Sequence, residues 1–213
     1  MKIFTHNFNP HSNSGPNKFT RQLFRSLMAN NGVSLANSGA DADVEFCLIQ
    51  QQAHKVKPML LRLDGIYFNS DQNYNSQNAP IRFAYKNADA VVFQSNFNKK
   101  LTEHWFGEHP NSHVVHNAPD TKIIQRANPR FFDSKFGPDI EVWSCAASWR
   151  PHKRLKDNIR YFLEHAPQSA VFAIAGALHM DEAKEVSSID KRIVLMGDLN
   201  YISLLSLYRR SSK

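Results

Sequence analysis

A strand-like apolar run at 142–147 breaks into a loop holding Arg150, Pro151, Lys153, Arg154 and Lys156. Helix-like sequence follows at once. A strand, a cationic loop and a helix start, in that order, make a seat for a phosphate. The loop brings positive side chains, and the helix brings free N–H groups and the positive end of its dipole. Arg150 can clasp two phosphate oxygens with its planar fork, while Lys153 adds a point charge. Cations at a helix start oppose the dipole, so this arrangement is mildly unfavourable without an anion. A diphosphate suits the pair; a solvated basic helix start is the other reading of the same residues.

Three other places could do chemistry. Arg62, Asp64 and Gly65 close an apolar run in LLRLDG. A carboxylate at the carboxyl end of a parallel strand can bind a hydroxyl or act as a base; an Asp-Gly turn explains the same residues equally well. Gly15 lies in the loop 12–17 ahead of a helix and permits close approach of a ligand to the backbone. That loop lacks Gly-Lys-Ser/Thr and GxGxxG, so a plain turn fits it as well. Asn117 precedes Pro119 by two residues and reads as a turn former. His6, His113 and His116 are scattered without metal-ligand spacing, and no metal site is expected. Trp149 reads as a partly buried aromatic that could line a pocket.

The elements that must hold these residues alternate. Strands are expected at 2–5, 44–49, 59–63, 90–93, 113–116, 141–147, 170–175 and 193–196. Helices are expected from about Phe19 to a stop near Asn31-Gly32, then at 79–87, 96–106, 154–165, 180–186 and 200–210. Ser95 is placed to cap the helix at 96–106. Repeated β-α units imply parallel sheets with right-handed crossovers. The stretch 118–139, with Pro119, Pro129, Gly137 and Pro138, interrupts the pattern. It reads as a connection with some local helix. The fold class expected is α/β, with two Rossmann-like domains, the second incomplete. The domains expected are 1–120, a connection at 121–139, and 140–213.

Composition bounds the function. The 213 residues are 42% hydrophobic, enough for real cores. The net charge of +7 suits an anionic ligand, nucleic acid or an anionic membrane. Much of it is local, since residues 121–160 hold nine Lys or Arg against four Asp or Glu. Cys47 and Cys145 each sit in a strand-like run and read as reduced, buried thiols. The first residues, MKIFTHNFNP, are too polar for a signal peptide, and no apolar run reaches membrane-spanning length. The expected location is cytoplasmic, with peripheral contact at a membrane left open.

In order along the chain, NADAVVFQSNFNKKLTEHWFG, SHVVHNAPDTKII, VWSCAASWRPHKRL, FAIAGAL and RIVLMGDLNYISLLSLYRRS resemble motifs of the GT-B nucleotide-sugar glycosyltransferases, the family 4-like group. The resemblance implies an acceptor-binding first domain and a nucleotide-sugar-binding second domain. It implies no cofactor and no metal, because protein cations stabilise the departing nucleoside diphosphate. Lys153 matches the family's donor-loop lysine. The family's arginine column falls on Ser148, and Arg150, two residues on, is expected to substitute. Gly15 matches the flexible glycine loop near the donor phosphate. Asp64 falls where members place a His or Asp beside acceptor and sugar, with Arg62 at the same strand end. The backbone of Gly197, Asp198 and Leu199 would face the nucleotide base.

The family's second domain continues past LYRRS with a glutamate-bearing donor-sugar loop. This chain is therefore expected to be a fragment, to be completed by another chain or segment, or to be impaired. The leading expectation is a retaining sugar transferase acting on a glycan or lipid-linked acceptor. The alternative is a truncated relative that binds a glycan or protein partner without turnover. Nucleic-acid binding, prompted by a sequence pI near 9.5, lacks any recognised module and is not expected.

Overall fold

The computed structural model describes residues 1–12, 14–70 and 72–213. Asn13, in the loop expected at 12–17, lies outside the described residues. The chain divides into two compact units, Met1–Ala118 and Pro119–Lys213. Both are α/β units built on parallel sheets, as the alternating pattern requires.

Unit 1 holds β1 (Lys2–His6), α1 (Gly15–Asn30), β2 (Ser34–Leu35), β3 (Val44–Leu48), β4 (Met59–Leu63), α2 (Tyr74–Asn87), β5 (Ala90–Phe93), α3 (Asn96–Phe106) and β6 (Ser112–Val114). Its strands lie side by side in the order β2-β1-β3-β4-β5-β6. The period-two geometry of each strand sorts side chains to two faces. Phe46 and Leu48 of β3 pack with Ile3 and Phe24 under α1. Cys47, Met59, Leu61, Leu63, Val91 and Phe93 pack with Ile81, Ala84 and Tyr85 of α2 on the other face. Because Leu61 and Leu63 face α2, Arg62 points to the α1 side, where its guanidinium lies 3.7 Å from the centre of the Phe19 ring.

Unit 2 holds α4 (Thr121–Arg126), α5 (Asp133–Phe136), β7 (Val142–Ala146), α6 (Leu155–His165), β8 (Val171–Ala175), α7 (Met180–Ile189), β9 (Ile193–Gly197) and α8 (Tyr201–Arg210). Leu155, Ile159 and Phe162 of α6 recur at helical spacing and bury against Trp143, Phe172 and Ile174. Phe162 is fully buried, a burial that stabilises by about 2–3 kcal/mol. The stretch 121–139, expected as a connection, contributes to the unit's core instead. Phe132 and Phe136 pack with Val142, Ala173 and Leu207. Arg209 donates to the carbonyl of Ala127 at 2.6 Å, and Arg210 to those of Gly137, Pro138 and Ile140 at 2.7–3.0 Å.

The sheet of unit 2 grows in one direction, β7-β8-β9. After α8 the chain returns to the opposite edge of β7. There Ser212 N–H donates to the Val142 carbonyl and Ser144 N–H to the Lys213 carbonyl, both at 2.9 Å. The order of neighbours therefore reverses at β7. In open α/β sheets ligands bind over the carboxyl ends of strands at such a reversal. The residues over the end of β7 are those of the cationic loop.

Candidate functional site

The loop after β7 is stitched to its neighbours by backbone and ring hydrogen bonds. The Trp149 indole N–H donates to the Ala175 carbonyl at 3.0 Å. Gly176 N–H donates to the Gly197 carbonyl at 2.8 Å, and Ala177 N–H to the Asp198 carboxylate at 2.9 Å. Gly176 has φ +104, and a Cβ there would lie 2.0 Å from the Ala147 carbonyl oxygen. Only glycine combines that backbone conformation with so close an approach. Sequence reasoning placed Gly176 in a strand-end loop without singling it out; its position directly after an apolar run was the available signal.

Of the four loop cations, two are neutralised by the fold. Arg154 donates to Asp157 at 2.8 Å, and Lys156 pairs with Glu185 at 3.1 Å. Asp157 also accepts from Arg160 at 2.7 Å. Hydrogen bonding from Arg154 holds the Asp157 carboxyl below the usual carboxylate range, with the charges of Arg154 and Arg160 adding to it. Arg150 and Lys153 are exposed, and among the described residues neither side chain has a hydrogen bond or an acidic partner. Arg150 precedes and Lys153 ends a single 3-10 turn, Pro151–Lys153, which leads into α6 through Arg154 in the left-handed conformation at φ +56. The two cations expected to hold a diphosphate are thus the two left uncompensated.

The three residues expected to face a base divide in role. Gly197 adopts φ +62 with open space around it. Asp198 spends a carboxylate oxygen on Ala177 N–H. Leu199 is half-buried against the Leu207 core. Their backbone closes the same strand-end surface that Trp149 and Gly176 occupy.

In unit 1, Arg62 is not a free ligand contact. It is 4% exposed. Its guanidinium pairs with Asp64, donates to the Asn117 amide oxygen at 2.8 Å, and stacks on Phe19. Burial pushes its pKa down to about 10, which leaves it charged at neutral pH. Gln94 and Asn98 side chains both donate to the Asp64 carbonyl, and Asn117 donates to Gln94 at 3.0 Å. Asp64 is therefore locked by a polar network of residues from four segments. Its side chain keeps 22% exposure, so it can still accept a hydrogen bond from a ligand hydroxyl. Asn117, read from sequence as a turn former, and Gln94 were missed as members of this brace.

Gly15 opens α1, and a Cβ there would meet nothing within 4 Å. His6 is buried and bonds Glu45 at 2.8 Å, a structural pair beneath the sheet end. Burial alone would raise the Glu45 pKa, but hydrogen bonds from His6, Val56 and Lys57 outweigh it and hold it below 4.5. Among the described residues no cluster of His, Cys, Asp or Glu could hold a metal ion. Burial pushes the Cys47 and Cys145 thiols up to about 12, so both are inert as nucleophiles at neutral pH.

No family model matches the sequence, and no curated protein is significantly similar to it. Solved structures do match in fold. Sucrose-phosphate synthase from Thermosynechococcus elongatus superposes with a TM-score of 0.77 at 10% identity, covering 99% of this chain and 74% of that one. HepE from Anabaena, in complex with UDP and glucose, gives 0.68 at 12% identity, covering 99% and 72%. An alpha-glucosyltransferase in complex with UDP-glucose and abasic-site DNA gives 0.55 at 14% identity, covering 99% and 70%. The fold is that of the GT-B glycosyltransferases, and the chain spans roughly seven-tenths of these neighbours.

Proposed function

We propose that this chain binds a nucleotide-diphosphate sugar through unit 2 and belongs to an enzyme that transfers the sugar to a glycan or lipid-linked acceptor. The observation that carries this reading is the pair of uncompensated cations, Arg150 and Lys153, over the end of β7. An anion arriving there gains two charge-assisted contacts without breaking an existing ion pair. As the glycosidic bond breaks, negative charge builds on the leaving diphosphate, and fixed cations stabilise that state more than the ground state. The same two cations supply the charge that a metal would otherwise bring, so transfer is proposed to be metal-independent. Asp64, held by Arg62, orients a sugar or acceptor hydroxyl. Retention of configuration and a cytoplasmic location belong to the same proposal.

Calorimetric titration of the chain with UDP and GDP tests it. One nucleotide is expected to bind without added divalent cation, with affinity falling as salt rises. Lys153→Ala and Arg150→Ala are each expected to weaken binding about tenfold or more. Unchanged affinity in the double variant would remove the basis of the reading. Tight binding only in the presence of a divalent cation would remove the metal-independent part.

A further inference from the structure

Helix α3 packs Leu101 and Phe106 against the core of unit 1 but leaves its other rings outside. The residues it buries are polar, Asn98 and Thr102, and the Thr102 hydroxyl has no hydrogen-bond partner. The other rings point outward, with Phe97 65% and Trp105 48% exposed. Phe97, Leu101 and Trp105 recur at spacing four, which lines them along one side of the helix. Leu101 in the middle leans on the core of unit 1, while Phe97 and Trp105 on either side of it stay outside that core.

The neighbouring surface continues it. Tyr67, Phe68 and Phe83 are 40%, 57% and 53% exposed. With Phe97 and Trp105 they are the exposed Phe, Tyr and Trp among the described residues of unit 1, and all five lie on α2, α3 or the segment leading into α2. They form one surface. The Phe68 and Phe97 rings are 6.4 Å apart, and Tyr74 and Trp105 are 6.1 Å apart. The Asn78 side chain ties the Tyr67 backbone to α2 at 2.9 and 2.7 Å. Between the helices runs an open groove of about 430 Å³, walled by Tyr74, Arg82, Phe83 and Trp105.

Charge identifies the partner. Helix α2 carries Arg82 and Lys86 and no carboxylate, and α3 adds an exposed Lys100. The carboxylate of α3, Glu103, is paired with Lys99; exposed Glu108 lies just past its end. Rings that stay apolar at the base, with Lys and Arg beside them, match the boundary of a bilayer carrying anionic headgroups. A protein interface core would share the aromatics and Arg82 but is depleted in lysine, so Lys86 and Lys100 favour the lipid surface over that alternative. No helix of the described residues is long and apolar enough to cross a membrane, so contact is with the surface.

We propose that the α2–α3 face of unit 1 docks on an anionic lipid surface, with Phe83, Phe97 and Trp105 entering the headgroup boundary and Arg82, Lys86 and Lys100 meeting lipid phosphates. The proposal does not rest on sugar transfer, because it uses none of the residues of unit 2.

Co-sedimentation of the full chain with vesicles tests it. Binding is expected to vesicles of phosphatidylcholine mixed with phosphatidylglycerol, and to weaken with salt; phosphatidylcholine alone should retain little protein. Phe83→Ser with Phe97→Ser is expected to weaken binding about tenfold per ring. Lys86→Glu with Lys100→Glu is expected to weaken it about fivefold or more per position. All four residues are exposed, so circular dichroism and nucleotide titration should be unchanged, which separates this result from the fate of the donor site. Absence of sedimentation with anionic vesicles would overturn the proposal. So would full retention by the double phenylalanine variant. A wild-type dimer converted to monomer by Phe97→Ser, with no vesicle binding, would assign the face to self-association instead.

Discussion

Gly176→Ala is the sharpest single test of how unit 2 holds its cationic loop. The added Cβ would lie 2.0 Å from the Ala147 carbonyl oxygen, where real contacts are essentially never under 3.0 Å. One segment must therefore retreat by at least the difference, about 1 Å. The opposing atom is backbone, so no side chain can rotate away. Retreat pulls on the Ala147–Ala175 hydrogen bond, already 3.4 Å, and on the Trp149–Ala175 bond at 3.0 Å. Losing the two costs about 1–3 kcal/mol. Holding alanine at φ +104 adds about 1–3 kcal/mol. The sum is about 2–6 kcal/mol, or about 10–30 °C in melting temperature at about 5 °C per kcal/mol for a unit of this size. Gly15→Ala is the matched control, since its Cβ meets nothing within 4 Å; its stability should move by less than about 1 kcal/mol. Urea unfolding followed by circular dichroism reads both. If Gly176→Ala unfolded within about 0.5 kcal/mol of wild type, the close approach of the two strand-end loops would be wrong.

Three further outcomes follow from the geometry. The lowered Glu45 pKa means its stabilising contribution is present above pH 4.5 and is lost as pH falls through the folded value. Glu45→Gln should cost about 1–3 kcal/mol near pH 7, and the gap to wild type should narrow in unfolding titrations below pH 4.5; a gap independent of pH would contradict the assignment. Arg62→Met strips Asp64 of its counter-charge and Asn117 of its donor, and should destabilise by about 3 kcal/mol in the same assay, with Arg62→Lys in between. Arg154→Gly removes a side chain from the left-handed region at φ +56. It should raise the melting temperature by a few degrees, about 1 kcal/mol, and a fall would show that the exposed Asp157 contact matters more than backbone strain.

The strands of both units were legible because their apolar runs are bounded by turn residues. Helix α3 was legible to the residue, since Ser95 caps it at Asn98 N–H and Gly107 follows it. Helix α2 starts at Tyr74 rather than at residue 79 because Asn73 caps it and Pro80 is tolerated inside it; Pro80 had masked the first turns. Strand β2 is two residues long and carries no pattern. Helices α4 and α5 are too short for periodicity, and they are tied down by hydrogen bonds from Arg209 and Arg210, 77 to 85 positions away. The site divides in the same way. Arg150 and Lys153 stood out by type and spacing. Which cations are neutralised did not, because Glu185 reaches Lys156 across 29 positions. The commitment of Arg62 depends on Asn117, 55 positions on.

Trp149 sits beside Arg150, half-buried, with its indole bonded to Ala175. Trp105 is exposed in the other unit, and Trp143 is buried in a core. The molecule thus carries separate built-in fluorophores for its two surfaces. Nucleotide arriving at the cationic loop would change the emission of Trp149, and a bilayer would shift that of Trp105 to the blue. With Trp143 shielded from an aqueous quencher such as acrylamide, Trp149→Phe and Trp105→Phe variants let each event be watched alone, in one cuvette and without an added label.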